Sequence, residues 1–213
     1  MSVQSVSKQT LQRLPQYLNF LKSMPRTGAA NISATAIAEA LGLGDVQVRK
    51  DLALVSSGGR PKVGYDAERL IADLERFLGY DDVTSAVIVG AGDLGRALLG
   101  YGGFAAYGIE LMAAFDRNAA LAGQTIHGKP VFPAARLKEL CGRMQIRIGI
   151  IAVPAEEAQQ VCDALVESGV RAIWNFAPVS LSAPENVLVQ NEDIAVSLAV
   201  LSKRLAQKLA ERE

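Results

Sequence analysis

Val87-Ile-Val-Gly-Ala-Gly-Asp-Leu-Gly-Arg-Ala-Leu98 reads as a buried strand that turns through Gly90-x-Gly92-x-x-Gly95 into a helix, the spacing of a dinucleotide-binding turn. In that pattern Gly90 permits the tight turn and Gly92 lets the backbone approach a pyrophosphate. Gly95 lets the helix lie close on the strand, and Ala91, Asp93 and Leu94 complete a loop whose helical N-terminus offers amide donors. Glycines alone are a weak signal. Here they are answered by Asp116, 21 residues after Gly95 and at the end of the next apolar run, where a carboxylate can accept from ribose hydroxyls and repel a 2′-phosphate. The acid favours NADH and NAD+ over their phosphorylated forms, while Arg117 directly after it is the kind of cation that accommodates a phosphate.

From Ser85 onward apolar runs alternate with helical patterns, as a parallel sheet with crossover helices requires. Strands are expected near 85–89, 110–115, 146–153, 170–175 and 187–190. Val153-Pro154 and Asn175-Phe176-Ala177-Pro178 close two of them at the carboxyl edge, where a dinucleotide would pass; the second offers an amide and an aromatic for a nicotinamide. From Asp193 to Glu213 a last helix carries Ile194, Leu198, Leu201, Leu205 and Leu209 on one stripe. Such a stripe is buried either on its own sheet or on a partner subunit.

The residues before this domain follow another pattern. Leu11, Leu14, Leu18 and Leu21 describe a first helix, within which Pro15 suits a first turn or a kink. Ser33 caps a second helix with Ile37, Ala40 and Leu41 inward, and Gly42-Leu-Gly44 breaks it before Asp45 caps a third. On that third helix Val48, Leu52 and Val55 share the inner face, which turns Val46, Arg49, Lys50 and Ala53 outward, and Gln47, Arg49 and Lys50 are the residues expected to contact DNA in the groove. Arg60 and Lys62 lie near the tip of a Gly- and Pro-rich hairpin, read as a wing. Asp66 caps a fourth helix, with Leu70, Ile71, Leu74, Phe77 and Leu78 inward and Gly79 as its stop.

Composition fits two cores in one chain. The 213 residues are 50% hydrophobic with mean hydropathy +0.19, which excludes a disordered chain. No apolar run reaches a membrane span, and the polar start Met1-Ser-Val-Gln-Ser lacks the features of a signal peptide, so the cytoplasm is expected. Net charge is zero, yet residues 1–80 hold ten Lys and Arg against seven Asp and Glu, while the remainder holds twelve against fifteen. A polyanion should meet the N-terminal part first. Cys141 and Cys162 form no Cys-x-x-Cys pair; two buried thiols and no metal site are expected.

The order Val48-Arg-Lys-Asp-Leu52, Val63-Gly-Tyr65, Gly90-Ala-Gly-Asp-Leu-Gly95, Phe115-Asp116, Val153-Pro154 and Asn175-Phe-Ala-Pro178 resembles the Rex family of bacterial redox-sensing repressors across nearly the whole chain. The resemblance implies an α/β protein: a winged helix-turn-helix domain over 1–80, a Rossmann domain over 81–192 and a swapped C-terminal helix over 193–213. It also implies a homodimer on double-stranded operator DNA, in which each swapped helix lodges between the partner's two domains and NADH releases the DNA. Position by position it places Tyr101 near the nicotinamide and Asp193 at the start of the swapped helix. The chain departs from the resemblance at three places: Asn19 stands where some members carry an arginine that pairs with that acid, Ile194 where some carry a phenylalanine against the nicotinamide, and Arg60-Pro-Lys62 where a Thr-Arg-Gly type of wing is more usual.

Two other functions compete. A nicotinamide dehydrogenase would need a substrate domain and a proton-transfer group, but nothing follows the nucleotide unit except one helix. The sole histidine, His127, sits in the turn-like Thr-Ile-His-Gly-Lys-Pro. A coenzyme A module would leave Asp116 without a purpose. No enzymatic activity is expected.

Overall fold

The computed structural model of the chain describes residues 6–25, 31–80 and 82–210. The polar start Met1–Ser5 and the last three residues of the expected C-terminal helix lie outside them. The chain divides into two compact units, Met1–Asp82 and Val83–Glu213.

In the first unit α1 (Lys8–Ser23) begins at Ser7, whose hydroxyl accepts from the Thr10 N–H at 3.2 Å. Pro15 falls inside it, Leu14, Leu18 and Leu21 are buried, and Leu11 stays outside. The short strand β1 (Asn31–Ile32) precedes α2 (Ala34–Leu41), capped by Ser33 and stopped at Gly42, whose φ of 64° is costly for any residue with a Cβ. Ile37 and Ala38 fill the core; Ala40 does not, because it falls one residue off the buried stripe of so short a helix. Next comes α3 (Asp45–Val55), with Val48 and Leu52 wholly buried. Its N-cap is Gly44 rather than Asp45, whose carboxylate instead accepts from Thr35 and Arg49. After the wing, β2 (Tyr65–Asp66) pairs antiparallel with β1 and leads into α4 (Ala67–Leu78), capped by Asp66 and ended at Gly79. Leu70 and Leu74 are buried, whereas Phe77, expected inside, is exposed.

The second unit is a seven-stranded sheet in the order β5-β6-β4-β3-β7-β8-β9. Its element sequence is β3 (Thr84–Val89), α5 (Asp93–Gly100), β4 (Ile109–Asp116), β5 (Thr125–Ile126), β6 (Lys129–Pro133), α6 (Leu137–Arg143), β7 (Ile148–Ile151), α7 (Ala155–Glu167), β8 (Ala172–Asn175), β9 (Leu188–Asn191) and α8 (Ile194–Ala210). All neighbours are parallel except β5 and β6. The strand expected over 146–153 is confined to Ile148–Ile151, and the β5–β6 hairpin was not anticipated.

The pleat sorts the core. Val87 and Val89 turn to the face covered by α6 and α7, with Phe115, Ile151, Leu165, Cys141 and Cys162, while Ala86 and Ile88 turn to the other, with Ala114, Ile150 and Leu99 of α5. Both cysteines are buried, and burial pushes the Cys141 thiol up to about 11.

One element has no core of its own. Asp193 caps α8, its carboxylate accepting from the Val196 N–H at 2.9 Å, yet no described residue of the helix is buried. Ile194, Leu198, Leu201, Leu205 and Leu209 are each more than half exposed, so the stripe does not lie on the chain's own sheet. Among the described residues no helix is long and apolar enough to cross a membrane.

Candidate nucleotide crevice and DNA-reading surface

The turn after β3 is shaped by contacts that only glycine permits. Gly90 has φ 101°, and a Cβ there would run into the Ala152 carbonyl; a Cβ on Gly95 would strike the Gly90 carbonyl. Gly92, the residue before α5, has nothing within 4 Å of where its Cβ would be, so its backbone faces open space. That division of labour is the one expected of a pyrophosphate turn. Asp116, at the end of β4, closes the loop. One of its carboxylate oxygens accepts from the Ala91 N–H and the other from the Asn118 N–H, both at 2.7 Å, which leaves further lone pairs on each oxygen for hydroxyl donors.

A crevice of about 200 Å³ opens beside this turn, lined by Gly90, Gly92, Asp116, Arg117, Val153 and Pro154, with Ala134 and Glu157 added. Glu157 went unnoticed in the sequence, although it lies in the first turn of α7. Its carboxylate stands 2.7 Å from the Arg117 guanidinium. The cation that could have welcomed a 2′-phosphate is therefore already paired, and the pocket carries two carboxylates. Arg96, also missed, steadies the turn by donating to the Ala91 carbonyl at 3.0 Å. Asp93, Leu94 and Gly95 form the first turn of α5, directly after Gly92 and outside the lining of the crevice.

The end of β8 serves differently from expectation. Asn175 is wholly buried. Its Nδ2 donates to the carbonyls of Ala177 and Val179 and to Asn191 Oδ1, and its Oδ1 accepts from the Ala177 N–H. Both ends of the buried amide are engaged within the chain, and it shapes the loop that carries Phe176, Ala177 and Pro178. The Phe176 ring lies 4.5 Å from that of Trp174, whose indole N–H donates to Glu192. Asn191 and Glu192 lead directly into Asp193 and α8, so two side chains of β8 are tied to the root of that helix.

Tyr101 is not brought to the crevice. It follows the last residue of α5, a helix length of roughly 12 Å from Gly92, and it lines a separate hollow of about 450 Å³ with His127, Phe104 and Lys129.

In the first unit Arg49 of α3 and Arg60 and Lys62 of the wing converge on one concavity of about 480 Å³, with Ser33, Thr35 and Tyr65. The wing is a three-residue tip, Pro61-Lys62-Val63, closed by reciprocal backbone bonds of 2.9 Å between Arg60 and Gly64. Gln47 and Lys50 are exposed on α3 but outside that lining. Among the described residues no group of His, Cys, Asp or Glu could hold a metal ion.

A family model described as a CoA binding domain matches residues 81–179, and one described as a DNA-binding protein N-terminus matches residues 5–53. The redox-sensing transcriptional repressor Rex of Pelotomaculum thermopropionicum is 41% identical over 208 residues, 98% of this chain and 98% of that protein. The chain belongs to the Rex family of redox-sensing transcriptional repressors. The Rex of Bacteroides fragilis is 39% identical over 94% of this chain and 91% of its own length. Among solved structures, the Rex-family repressor RSP in complex with β-NAD+ and operator DNA matches with TM-score 0.90 at 33% identity, over 98% of this chain and 96% of RSP. RSP in complex with β-NADH matches at 0.87 and 32%, over 98% of each chain. Rex repressors are not enzymes, and the α/β fold with a Rossmann-like sheet and an N-terminal DNA-binding domain is theirs.

Proposed function

We propose that this chain represses transcription in the cytoplasm according to its nicotinamide cofactor. The crevice between Gly90 and Asp116 takes NADH or NAD+, the α3 helix and the wing take double-stranded operator DNA, and NADH releases the operator. The observation that carries the reading is the pair of surfaces in one chain: a glycine turn closed by Asp116, and a basic concavity joining Arg49 to Arg60 and Lys62. RSP, at 33% identity, was crystallised with both kinds of ligand. Within the crevice Gly90, Gly92 and the α5 N-terminus would hold the pyrophosphate and Asp116 the adenosine ribose; Val153, Pro154 and Phe176-Ala177-Pro178 would border the path to the nicotinamide. The bare stripe of α8 is covered by a second copy of the chain, in a homodimer with exchanged C-terminal helices.

A specific observation favours one rival ligand, since the matching domain model is that of coenzyme A binding. Coenzyme A carries a phosphate on its adenosine ribose, the sugar that Asp116 and the paired Arg117 would face, and two carboxylates in that pocket oppose it. Titrating the protein with NADH, NADPH and coenzyme A decides the ligand, and a mobility shift on genomic fragments with and without NADH decides the response. Tight NADH binding with loss of the retarded band is expected. Preference for coenzyme A, or a band indifferent to NADH, would refute the proposal.

A further inference from the structure

Asp51 is the only charged side chain among the buried described residues, 1% exposed, and it sits on α3, the helix proposed to read DNA. Its carboxylate accepts five hydrogen bonds. Thr10 donates to Oδ1 at 3.2 Å; Arg13 donates to Oδ2 at 2.7 Å and Oδ1 at 3.0 Å; Tyr17 donates to Oδ2 at 2.8 Å. These four come from α1. The fifth donor is Gln47, one turn earlier on α3 itself, whose Nε2 lies 3.0 Å from Oδ1. Burial drives the Asp51 carboxyl upward, but the bonds from Arg13, Tyr17 and Gln47 outweigh it and hold the group below the ordinary carboxylate range. It is therefore ionised, and an ionised carboxylate only accepts.

That chemistry matters for Gln47. A glutamine amide has a donor end and an acceptor end of nearly the same shape, and a free one can present either. With Asp51 beside it only the nitrogen can face inward, so Oε1 and the second N–H are presented together in one sense. Gln47 is exposed near the start of α3, the part of a recognition helix that meets base edges. A buried ion pair does little for stability compared with an apolar filling, and its best-attested use is to fix a register.

We propose that Asp51 is a positioning residue for operator readout: it locks the Gln47 amide so that α3 offers one donor and one acceptor in a fixed order, the complement of adenine N7 and N6 in the major groove. The inference rests on α3 being the reading helix. Its test compares the wild-type dimer with the Gln47→Ala, Asp51→Asn and doubly substituted proteins, and with Arg49→Ala, on operator duplexes altered one base pair at a time. Gln47→Ala should lose about 5- to 150-fold discrimination at one A·T pair. Asp51→Asn, whose own amide can donate as well as accept, should lose discrimination at that same pair and not elsewhere, and the double variant should lose no more than either single one. A purely structural Asp51 would instead weaken every duplex alike. Should Asp51→Asn fail to fold, the wild-type protein answers through its Gln47 side-chain amide signals: a shifted, slowly exchanging proton on an ordered amide is expected. Rapid averaging of that amide, or a folded Asp51→Asn protein with wild-type discrimination at the Gln47 pair, overturns the inference alone. If Gln47→Ala and Arg49→Ala both bind every duplex as the wild type does, the reading of α3 falls, and this inference with it.

Discussion

Lys62 holds a backbone angle, φ 64°, that costs a side-chain-bearing residue roughly 1–2 kcal/mol and costs glycine almost nothing. It stands at the tip of the wing, so strain is retained there together with a charge. Lys62→Gly should leave thermal stability equal or higher, yet weaken operator binding and lower the slope of log affinity against log salt by about one. Unchanged affinity and slope would assign Lys62 to the turn alone. At the other site, Asp116→Ala should cost about one to two powers of ten in NADH affinity and narrow the preference over NADPH, because it removes an acceptor for the ribose and a charge that repels phosphate. Fluorescence titration checks both; unaltered discrimination removes Asp116 from the crevice. Gly90, Gly92 and Gly95 were legible because a turn is a local object, set by residues adjacent in sequence, and Asp116 because it ends the next apolar run. Glu157 and the true part played by Asn175 were not, since their partners, Arg117 and Asn191, reach them only through the sheet order.

Between elements, α1 is fastened to α3 by Tyr17 and Asp51. Burial first, and then the bond to Asp51, raise the Tyr17 hydroxyl to about 12 from its usual 10. A raised folded-state value stabilises fully below pH 10 and is lost as the pH climbs towards 12. The helical N-terminal signal should therefore melt at lower temperature across that window, and Tyr17→Phe should flatten the dependence; an equally steep decline in the variant would place its origin elsewhere. The helices themselves could be read from caps such as Ser33 and Asp66 and from the leucine spacing. The β5–β6 pair could not, because β5 is two residues long and pairs around the strained His127 turn, where no alternation can develop. The C-terminal helix was legible as a stripe but not as to what covers it. Deleting residues 193–213 should give a monomeric or loosely associated chain, measured by sedimentation, that no longer retards operator DNA. A truncated protein that remains a tight dimer and still releases DNA with NADH would return α8 to a minor role.

For the molecule as a whole, the proposed response joins two ligands held by different units of the chain. Whatever factor NADH imposes on operator affinity, operator must impose on NADH affinity, typically 1–3 kcal/mol or about 5- to 150-fold in such couplings. Titrating NADH with and without saturating operator should show that reciprocal loss, while equal curves would mean that the DNA effect has another source. The ties from Trp174 and Asn175 to Glu192 and Asn191 are where a ligand bound beside Phe176, as proposed, would meet the root of α8. The bareness of that helix has a further consequence, for gene dosage. If only paired chains hold DNA, then below the dimer's dissociation constant a twofold drop in chain number lowers the active species about fourfold. A cell dividing faster than it makes this protein would relieve repression by dilution alone, with its cofactor pool unchanged.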